Sequence, residues 1–188
     1  MKLLILSLTL SISLLLGWTT SYTQQNRYND VLFWQETHEA HPTSEEVRSV
    51  AVDSTGTIWI ATSSGIFRKK ASLETNWEKV LTDGPAYAVF VDAQSSIWLG
   101  TWNGVYRYSN RQLQRISGIA QPISVLCSSP EGIYAIGPNG LWRYDGSTFT
   151  KKEVAIPRSV RNALCDSAGN LWLASDVGLY YINKVGTI

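Results

Sequence analysis

The chain has 188 residues, enough for one domain, and 44% of them are hydrophobic and 16% charged. Its formal net charge is +1, and Lys and Arg are scattered, so a basic stripe that would bind phosphates is excluded and nucleic acid is not an expected partner. The chain has 8 Trp and 9 Tyr beside 14 Gly and 1 Met. This mixture favours strands and tight turns over helices, because aromatic side chains suit a pleated surface and Gly suits turns.

The first residues, Met1–Ser21, are predicted to form a secretory signal peptide. Lys2 precedes an apolar run at Leu3–Leu16. Thr19 and Ser21 then supply the small residues of a cleavage site. The apolar run is shorter than the roughly 20 residues of a membrane-spanning helix, so an uncleaved anchor is the less favoured alternative. The mature chain is therefore expected to be periplasmic or secreted, without insertion into the membrane.

Residues 22–46 form an N-terminal segment that contains one run with the length of a strand, Val31–Gln35. His38 and His41, the only histidines of the chain, lie in a polar stretch after it. Their spacing differs from the His-Glu-x-x-His motif of zinc enzymes, so a solvated linker is predicted here and no metal site.

An internal repeat organises the rest of the chain. Its most regular mark is a glycine, and successive copies of this glycine lie 39, 36 and 38 residues apart. Each copy predicts a strand a, an Asp-containing turn, an apolar strand b, a hairpin corner that contains the glycine, a strand c and a weaker strand d. In the first copy, strand a is predicted at Val50–Val52 and strand b at Thr57–Thr62. The glycines are Gly65, Gly104, Gly140 and Gly178, and the predicted repeats are residues 47–85, 86–122, 123–159 and 160–188.

The apolar strand b indicates the architecture. Ile58–Ile60 is apolar at consecutive positions, so both faces of its sheet are expected to be covered. A repeat of this length with four strands predicts an all-β β-propeller with about four four-stranded blades. The fourth copy ends without a convincing strand d. Val31–Gln35 could supply it and close a small ring, or the blades could form an arc of a larger propeller, which the usual blade numbers favour.

The motif Asp-x-x-Gly-x-Ile/Leu-Trp-Ile/Leu-Ala/Gly-Thr-x-x-Gly-Ile/Val-Tyr/Phe-Arg resembles the two-component regulator propeller repeat. It is best kept at Asp53–Arg68 and at Asp92–Arg107, where Ser95 replaces the turn glycine. The third copy has Ser128 for the Asp and Tyr134 for the Trp. The resemblance implies the periplasmic sensor region of a hybrid two-component histidine kinase that responds to carbohydrate-type ligands. It also implies that signalling domains follow in the full-length protein. This chain contains no phosphoacceptor-His segment and no ATP-binding motif, so kinase activity is not carried over.

No set of residues predicts catalysis, and the chain is expected not to be an enzyme and to bind no cofactor. Nucleophile elbows, phosphate-binding loops, Cys/His clusters and paired acids are missing from the sequence. The acidic residues that recur at the a–b turns are interpreted as turn formers, and the recurring tryptophans of strand b as core between blades. These residues are Asp53, Asp92 and Asp166, and Trp59, Trp98 and Trp172.

The two cysteines, Cys127 and Cys165, occupy the strand-a position that Val52 and Val91 hold in the first two copies. Facing sheets pack about 10 Å apart, whereas a disulfide needs Cα atoms within about 7 Å. Two free, buried thiols are therefore predicted, and a disulfide is the alternative that an oxidising compartment would favour.

One face of the propeller is the candidate ligand-binding surface, because the b–c corners and the d–a linkers should emerge on the same side. Trp102 lies at a b–c corner, and Tyr87, Arg48 and Arg161 lie at the start of strand a. Aromatic rings that stack on sugars and Arg side chains that bind hydroxyls or acids would suit an extracytoplasmic ligand sensor. The alternatives are isolated surface residues without a ligand and, for the whole chain, a secreted protein-interaction scaffold.

Overall fold

The structure is a computed structural model that describes residues 46–70, 76–81 and 83–183. The predicted signal peptide, the Val31–Gln35 strand and both histidines lie outside the described residues. In the described ranges every helix or strand element is a strand. These same ranges contain no helix that is long and apolar enough to cross a membrane.

The strands form four antiparallel sheets, each built from consecutive strands in chain order. The first sheet contains β1 (Val47–Val52), β2 (Thr57–Thr62), β3 (Gly65–Lys70) and β4 (Glu78–Leu81). The second contains β5 (Ala86–Val91), β6 (Ile97–Thr101), β7 (Gly104–Ser109) and β8 (Gln112–Ile116). The third contains β9 (Val125–Ser129), β10 (Gly132–Gly137), β11 (Gly140–Tyr144) and β12 (Phe149–Lys152). The fourth contains β13 (Val160–Cys165), β14 (Leu171–Ser175) and β15 (Gly178–Ile182).

This arrangement confirms the predicted all-β propeller with four blades. Three of the sheets have the expected strands a to d, and the fourth has three strands within the described residues. The first strand begins at Val47, three residues before the predicted Val50, because a register shift lets the strand continue past Arg48.

The blades pack face to face through apolar layers. Trp59 of β2 and Leu99 of β6 lie in the layer between the first two blades, and both are almost fully buried. Trp98 and Trp142 share the next layer, and Ile136 and Leu173 the third. The innermost strands β1, β5, β9 and β13 also contact one another in succession. Burial between blades therefore explains why strand b is apolar on both faces.

The outward faces of the first and the fourth sheets are exposed. Val50 and Val52 of β1 keep 63% and 58% of their area accessible, and Leu164 and Leu179 of the fourth blade keep 69% each. Trp172 is 38% exposed, so the prediction that all three strand-b tryptophans form inter-blade core is wrong for this one. It has the same sequence context as the buried pair, but nothing within the described residues covers its face.

The recurring Asp residues hold the a–b turns, as predicted. Asp92 Oδ1 accepts the backbone N–H groups of Gln94 and Ser96 at 3.0 and 2.8 Å. Its Oδ2 accepts Trp98 Nε1 at 2.7 Å, which joins the turn to the buried ring. Equivalent Trp–Asp bonds measure 2.9 Å at Asp53 and 3.4 Å at Asp166.

The prediction for the cysteines rested on a separation of about 10 Å, and that separation is wrong. Both thiols are free, but only Cys127 is buried, whereas Cys165 is partly accessible. The sulfur atoms of Cys127 and Cys165 are 3.9 Å apart. The two residues lie on β9 and β13, the innermost strands of adjacent blades. Blades converge toward the propeller axis, so the mean spacing of two facing sheets overstates the distance between their inner strands.

Candidate functional site

A β-bulge positions three of the four predicted site residues. The strand pairing passes directly from Val47 to Ser49, from Ala86 to Ala88, and from Val160 to Asn162. Each bulge leaves one residue without a ladder partner: Arg48 in the first blade, Tyr87 in the second and Arg161 in the fourth. A bulge of this kind breaks the ladder locally and re-aims a side chain, and bulges are enriched beside active sites. The same distortion in three blades therefore presents these side chains at equivalent places.

The structure brings Arg48 and Tyr87 together across the first two blades. The Arg48 guanidinium carbon lies 4.9 Å from the centre of the Tyr87 ring. Arg48 Nε also donates to Glu46 Oε2 at 3.3 Å. A guanidinium held over a ring is oriented and keeps other N–H groups for a ligand, because only one of its donors is engaged by Glu46.

Trp102 lies at the b–c corner of the second blade and belongs to the same end of the molecule as Tyr87. The corner begins after Thr101, which pairs with Ala86, the residue before Tyr87. The backbone N–H of Trp102 donates to the carbonyl of Pro85 at 3.0 Å. Its indole Nε1 donates to the carbonyl of Asp83. Trp102 keeps 42% of its area exposed, so part of its side chain is available to contact a ligand.

Arg161 is engaged within its own blade. Its guanidinium binds Asp176 through two hydrogen bonds of 2.7 and 3.1 Å. This pair holds the pKa of Asp176 below its ordinary value, because the arginine stabilises the carboxylate. The pair is exposed, and Asp176 belongs to the b–c corner of the fourth blade, where Trp102 lies in the second. Arg161 is therefore at the expected end of the molecule, but as a preformed ion pair.

The third blade differs from the others at the bulge position. Ile123 stands seventeen residues before the corner glycine, as Arg48, Tyr87 and Arg161 do. It is fully buried, and its N–H donates to the carbonyl of Thr101 in the second blade at 2.9 Å. At the bulge position, the first, second and fourth blades therefore carry a polar or aromatic side chain, and the third blade carries the buried, apolar Ile123.

A groove at the third blade was not predicted from the sequence. It has a volume of about 710 Å³ and lies between the b–c corner of the third blade and the linker that leads to the fourth. Asn139, Lys151 and Arg158 line it, and Lys151 lies against Gly140, where a Cβ atom would come within 2.9 Å of its Cε. The signal in the sequence was the Asn139-Gly140 corner followed by Lys151 and Lys152, which the repeat places at the same end.

The opposite end of the molecule has clefts between blades that serve the packing. One, of about 490 Å³, contains Arg68, which binds Glu78 at 2.7 Å and the Tyr108 hydroxyl at 2.6 Å. Arg68 also lies 5.6 Å from the centre of the Trp59 ring. The motif arginine thus ties strand c of one blade to strand c of the next. Among described residues, no group of three or more His, Cys, Asp or Glu side chains could hold a metal ion.

Comparison with known proteins agrees with the repeat. Residues 42–64 match the family model of the two-component regulator propeller. The chain carries a two-component regulator propeller repeat. This match covers the first a–b hairpin and confirms the family resemblance that the motif predicted. No curated protein sequence matches the chain significantly.

Solved structures show the same fold at low sequence identity. A virginiamycin B lyase from Staphylococcus aureus superimposes with a TM-score of 0.60 and 13% identity over 78% of this chain and 58% of that one. A gluconolactonase from Xanthomonas campestris superimposes with a TM-score of 0.59 and 15% identity, over 73% of this chain and 58% of that one. The extracellular domain of a proposed hybrid two component system from B. thetaiotaomicron has a TM-score of 0.48 and 18% identity, over 78% of this chain and 28% of that one. The chain thus spans little more than half the length of the first two proteins. At these identities the lyase and the lactonase establish the propeller fold and carry no activity to this chain.

Proposed function

We propose that this chain is an extracytoplasmic ligand-sensing propeller, the sensor portion of a two-component regulator that responds to carbohydrate-type ligands. The observation that carries this proposal is the repeated β-bulge, which presents Arg48, Tyr87 and Arg161 at one end of three blades. The matched repeat at residues 42–64 supports a role in signalling. Export through the predicted signal peptide and signalling domains beyond residue 188 belong to the same proposal.

The chemistry of this end favours a ligand with hydroxyl groups and a negative charge. The exposed part of Trp102 offers an apolar surface for the face of a sugar, and Arg48 offers planar N–H donors for hydroxyls or carboxylates. Arg161 would contribute only through the N–H groups that its two bonds to Asp176 leave unused. Lys151 and Arg158 of the neighbouring groove add positive charge. An acidic oligosaccharide would therefore bind more tightly than a neutral one of the same length.

Calorimetric titration of the purified chain with matched neutral and acidic oligosaccharides tests the proposal. We expect saturable binding that Trp102→Ala weakens about tenfold or more, because a stacked aromatic ring contributes on the order of 1.5 kcal/mol. Arg48→Gln should weaken acidic ligands more than neutral ones. Arg111→Gln is the matched control, since Arg111 is an exposed arginine at a c–d corner, on the opposite side.

Equal binding by wild type and by Trp102→Ala would remove this face as the binding site. Absence of glycan binding, together with saturable binding of a purified partner protein, would favour the alternative role as a secreted interaction scaffold. Turnover of a bound sugar or lactone would instead identify an enzyme.

A further inference from the structure

The interface between the third and the fourth blades contains the only two cysteines of the chain. Cys127 lies on β9 opposite Tyr134, and Cys165 lies on β13 opposite Leu171. They come from different blades, yet their sulfur atoms are 3.9 Å apart. A disulfide bond is about 2.05 Å long, so each sulfur needs to move by only about 1 Å. Rotation about the Cα–Cβ bond of either residue moves its sulfur through such a distance.

We propose that Cys127 and Cys165 are an oxidation site, at which a disulfide oxidant such as glutathione disulfide forms a covalent bridge between the third and the fourth blades. This inference concerns the inner strands and needs no ligand, so it stands independently of the sensor function.

The two thiols have different environments, which sets the order of the reaction. Cys127 is 6% exposed, and its sulfur lies within S–H hydrogen-bond distance of the Cys165 sulfur, where either thiol can donate. This hydrogen bond, followed by burial, raises the pKa of Cys127. The same hydrogen bond lowers the pKa of Cys165. Because Cys165 is also the more accessible of the two, it is the sulfur that meets an oxidant from solution.

The exchange then proceeds in two balanced steps. The Cys165 thiolate attacks one sulfur of glutathione disulfide, and the first glutathione leaves as a thiolate that takes up a proton. Cys127 then loses its proton and attacks the Cys165 sulfur of the mixed disulfide, which breaks the bond to the second glutathione. Two protein thiols are oxidised to one disulfide, and glutathione disulfide is reduced to two glutathione thiols.

The bridge would join the fourth blade, at one end of the described array, to the third. The fourth sheet has an apolar layer on the side of the third blade, and Leu164 and Leu179 are exposed on its other side. A covalent bond between β9 and β13 therefore attaches a terminal blade of the described array, which packs against one other blade only, as the first blade does. In the first two blades the same strand position is held by Val52 and Val91, which cannot form such a bond.

Mass spectrometry of the full chain tests the proposal. Reduced protein is incubated with glutathione at graded ratios of disulfide to thiol, alkylated and digested with trypsin without reduction. Cleavage after Arg115, Arg143, Arg161 and Lys184 leaves the two cysteines on separate peptides. We expect one linked pair that contains Cys127 and Cys165, from monomeric protein, and a melting temperature that rises by on the order of 10 °C.

Two valine variants copy the residue found in the first two blades and serve as matched controls. Cys127→Val should stop at the mixed disulfide on Cys165, whereas Cys165→Val should react with glutathione disulfide at least tenfold more slowly, because the remaining thiol is buried. Oxidation should also slow hydrogen exchange in residues 171–182 of the wild type and in neither variant.

Three outcomes would overturn the proposal. Wild-type protein that accumulates the mixed disulfide and never the linked peptides would show that the sulfurs cannot approach. Linked peptides that form only in denaturant would place the bridge in the unfolded chain. Linkage found only in covalent dimers would assign it to contacts between molecules.

Discussion

The second and the fourth blades have almost the same strand b, Ile97–Thr101 and Leu171–Ser175, and bury it differently. All five residues of β6 are buried, whereas β14 alternates between buried and accessible positions. Trp98 is 2% exposed, and its ring centre lies 5.0 Å from that of Tyr144 in the next blade. Trp172 is 38% exposed, and its ring partner, at 4.6 Å, is Tyr181 of its own sheet. Burial in this repeat is thus a property of the neighbouring blade as well as of the motif.

The largest expected difference between the two blades concerns these tryptophans. Trp98→Ala should lower the free energy of unfolding by about 4 kcal/mol, because it leaves a cavity in the layer between blades. Trp172→Ala should lower it by about 1 kcal/mol, since much of that ring already contacts solvent. Urea denaturation followed by circular dichroism measures both. Equal losses would mean that the face of the fourth blade is covered in solution.

Substitutions in the a–b turns should also destabilise the second blade more than the fourth, by smaller amounts than the tryptophan substitutions. Asp92→Ala removes the acceptor of two backbone N–H groups and leaves the buried Trp98 Nε1 without a partner, so a loss of about 2 kcal/mol is expected. Asp166→Ala should cost about 1 kcal/mol or less, because water can reach the indole of Trp172. Asp92→Asn keeps an acceptor oxygen and should recover part of the loss in the same denaturation experiment. A larger loss at Asp166 would contradict the comparison.

Acid should destabilise the a–b turn of the first blade, because hydrogen bonds stabilise the ionised form of Asp53. Burial acts to raise the pKa of Asp53, but bonds from Thr55, Trp59 and Thr57 outweigh it and hold that pKa below its ordinary value. A carboxyl with a lowered folded pKa stabilises the fold fully above its unfolded value, about 3.9, and loses this contribution as the pH falls through the folded value. Urea midpoints measured between pH 5 and 2 should therefore fall less steeply for Asp53→Asn than for wild type. An unchanged slope would refute the assignment.

The smallest expected effect is a gain in stability at Ser95. This residue takes the turn position that Gly56 and Gly169 hold in the first and fourth blades, and all three have positive φ, at 60°, 77° and 88°. A side chain in this region is strained, so Ser95→Gly should raise the free energy of unfolding by about 0.5 kcal/mol. The hydroxyl bond between Ser54 and Ser95, 2.8 Å long, would be lost and limits the gain. Calorimetric melting of wild type and variant measures the difference, and a net loss would show that this bond outweighs the strain.

The repeat made the fold predictable, and it made the turns predictable too. The positions of Gly65 and Asp53 within each copy located the strands, because hairpin corners and Asp turns have strict local requirements. Strand b of the first blade was predicted at its observed bounds, Thr57–Thr62. The exposure of Trp172 was not predicted, since it depends on what lies beyond the sheet.

The candidate site was predicted only as a set of residues at one end of the molecule. The β-bulge that orients Arg48 and Tyr87 is a shift in backbone pairing, and it cannot be predicted from residue type. The bond from Trp102 to the carbonyl of Asp83 joins residues nineteen positions apart, through a backbone atom that the sequence does not distinguish. The short distance between the sulfurs of Cys127 and Cys165 follows from the convergence of inner strands, which a mean sheet spacing does not contain.

The apolar plug at Ile123 breaks the rotational pseudosymmetry of the bulge positions. Four equivalent side chains around an axis would let a ligand bind in several rotated poses of similar energy. Arg48, Tyr87, Ile123 and Arg161 are instead two cations, one aromatic ring and one buried aliphatic group. The proposed ligand would meet two arginines and one aromatic ring but no side chain from the third blade, so we expect it to bind in one orientation.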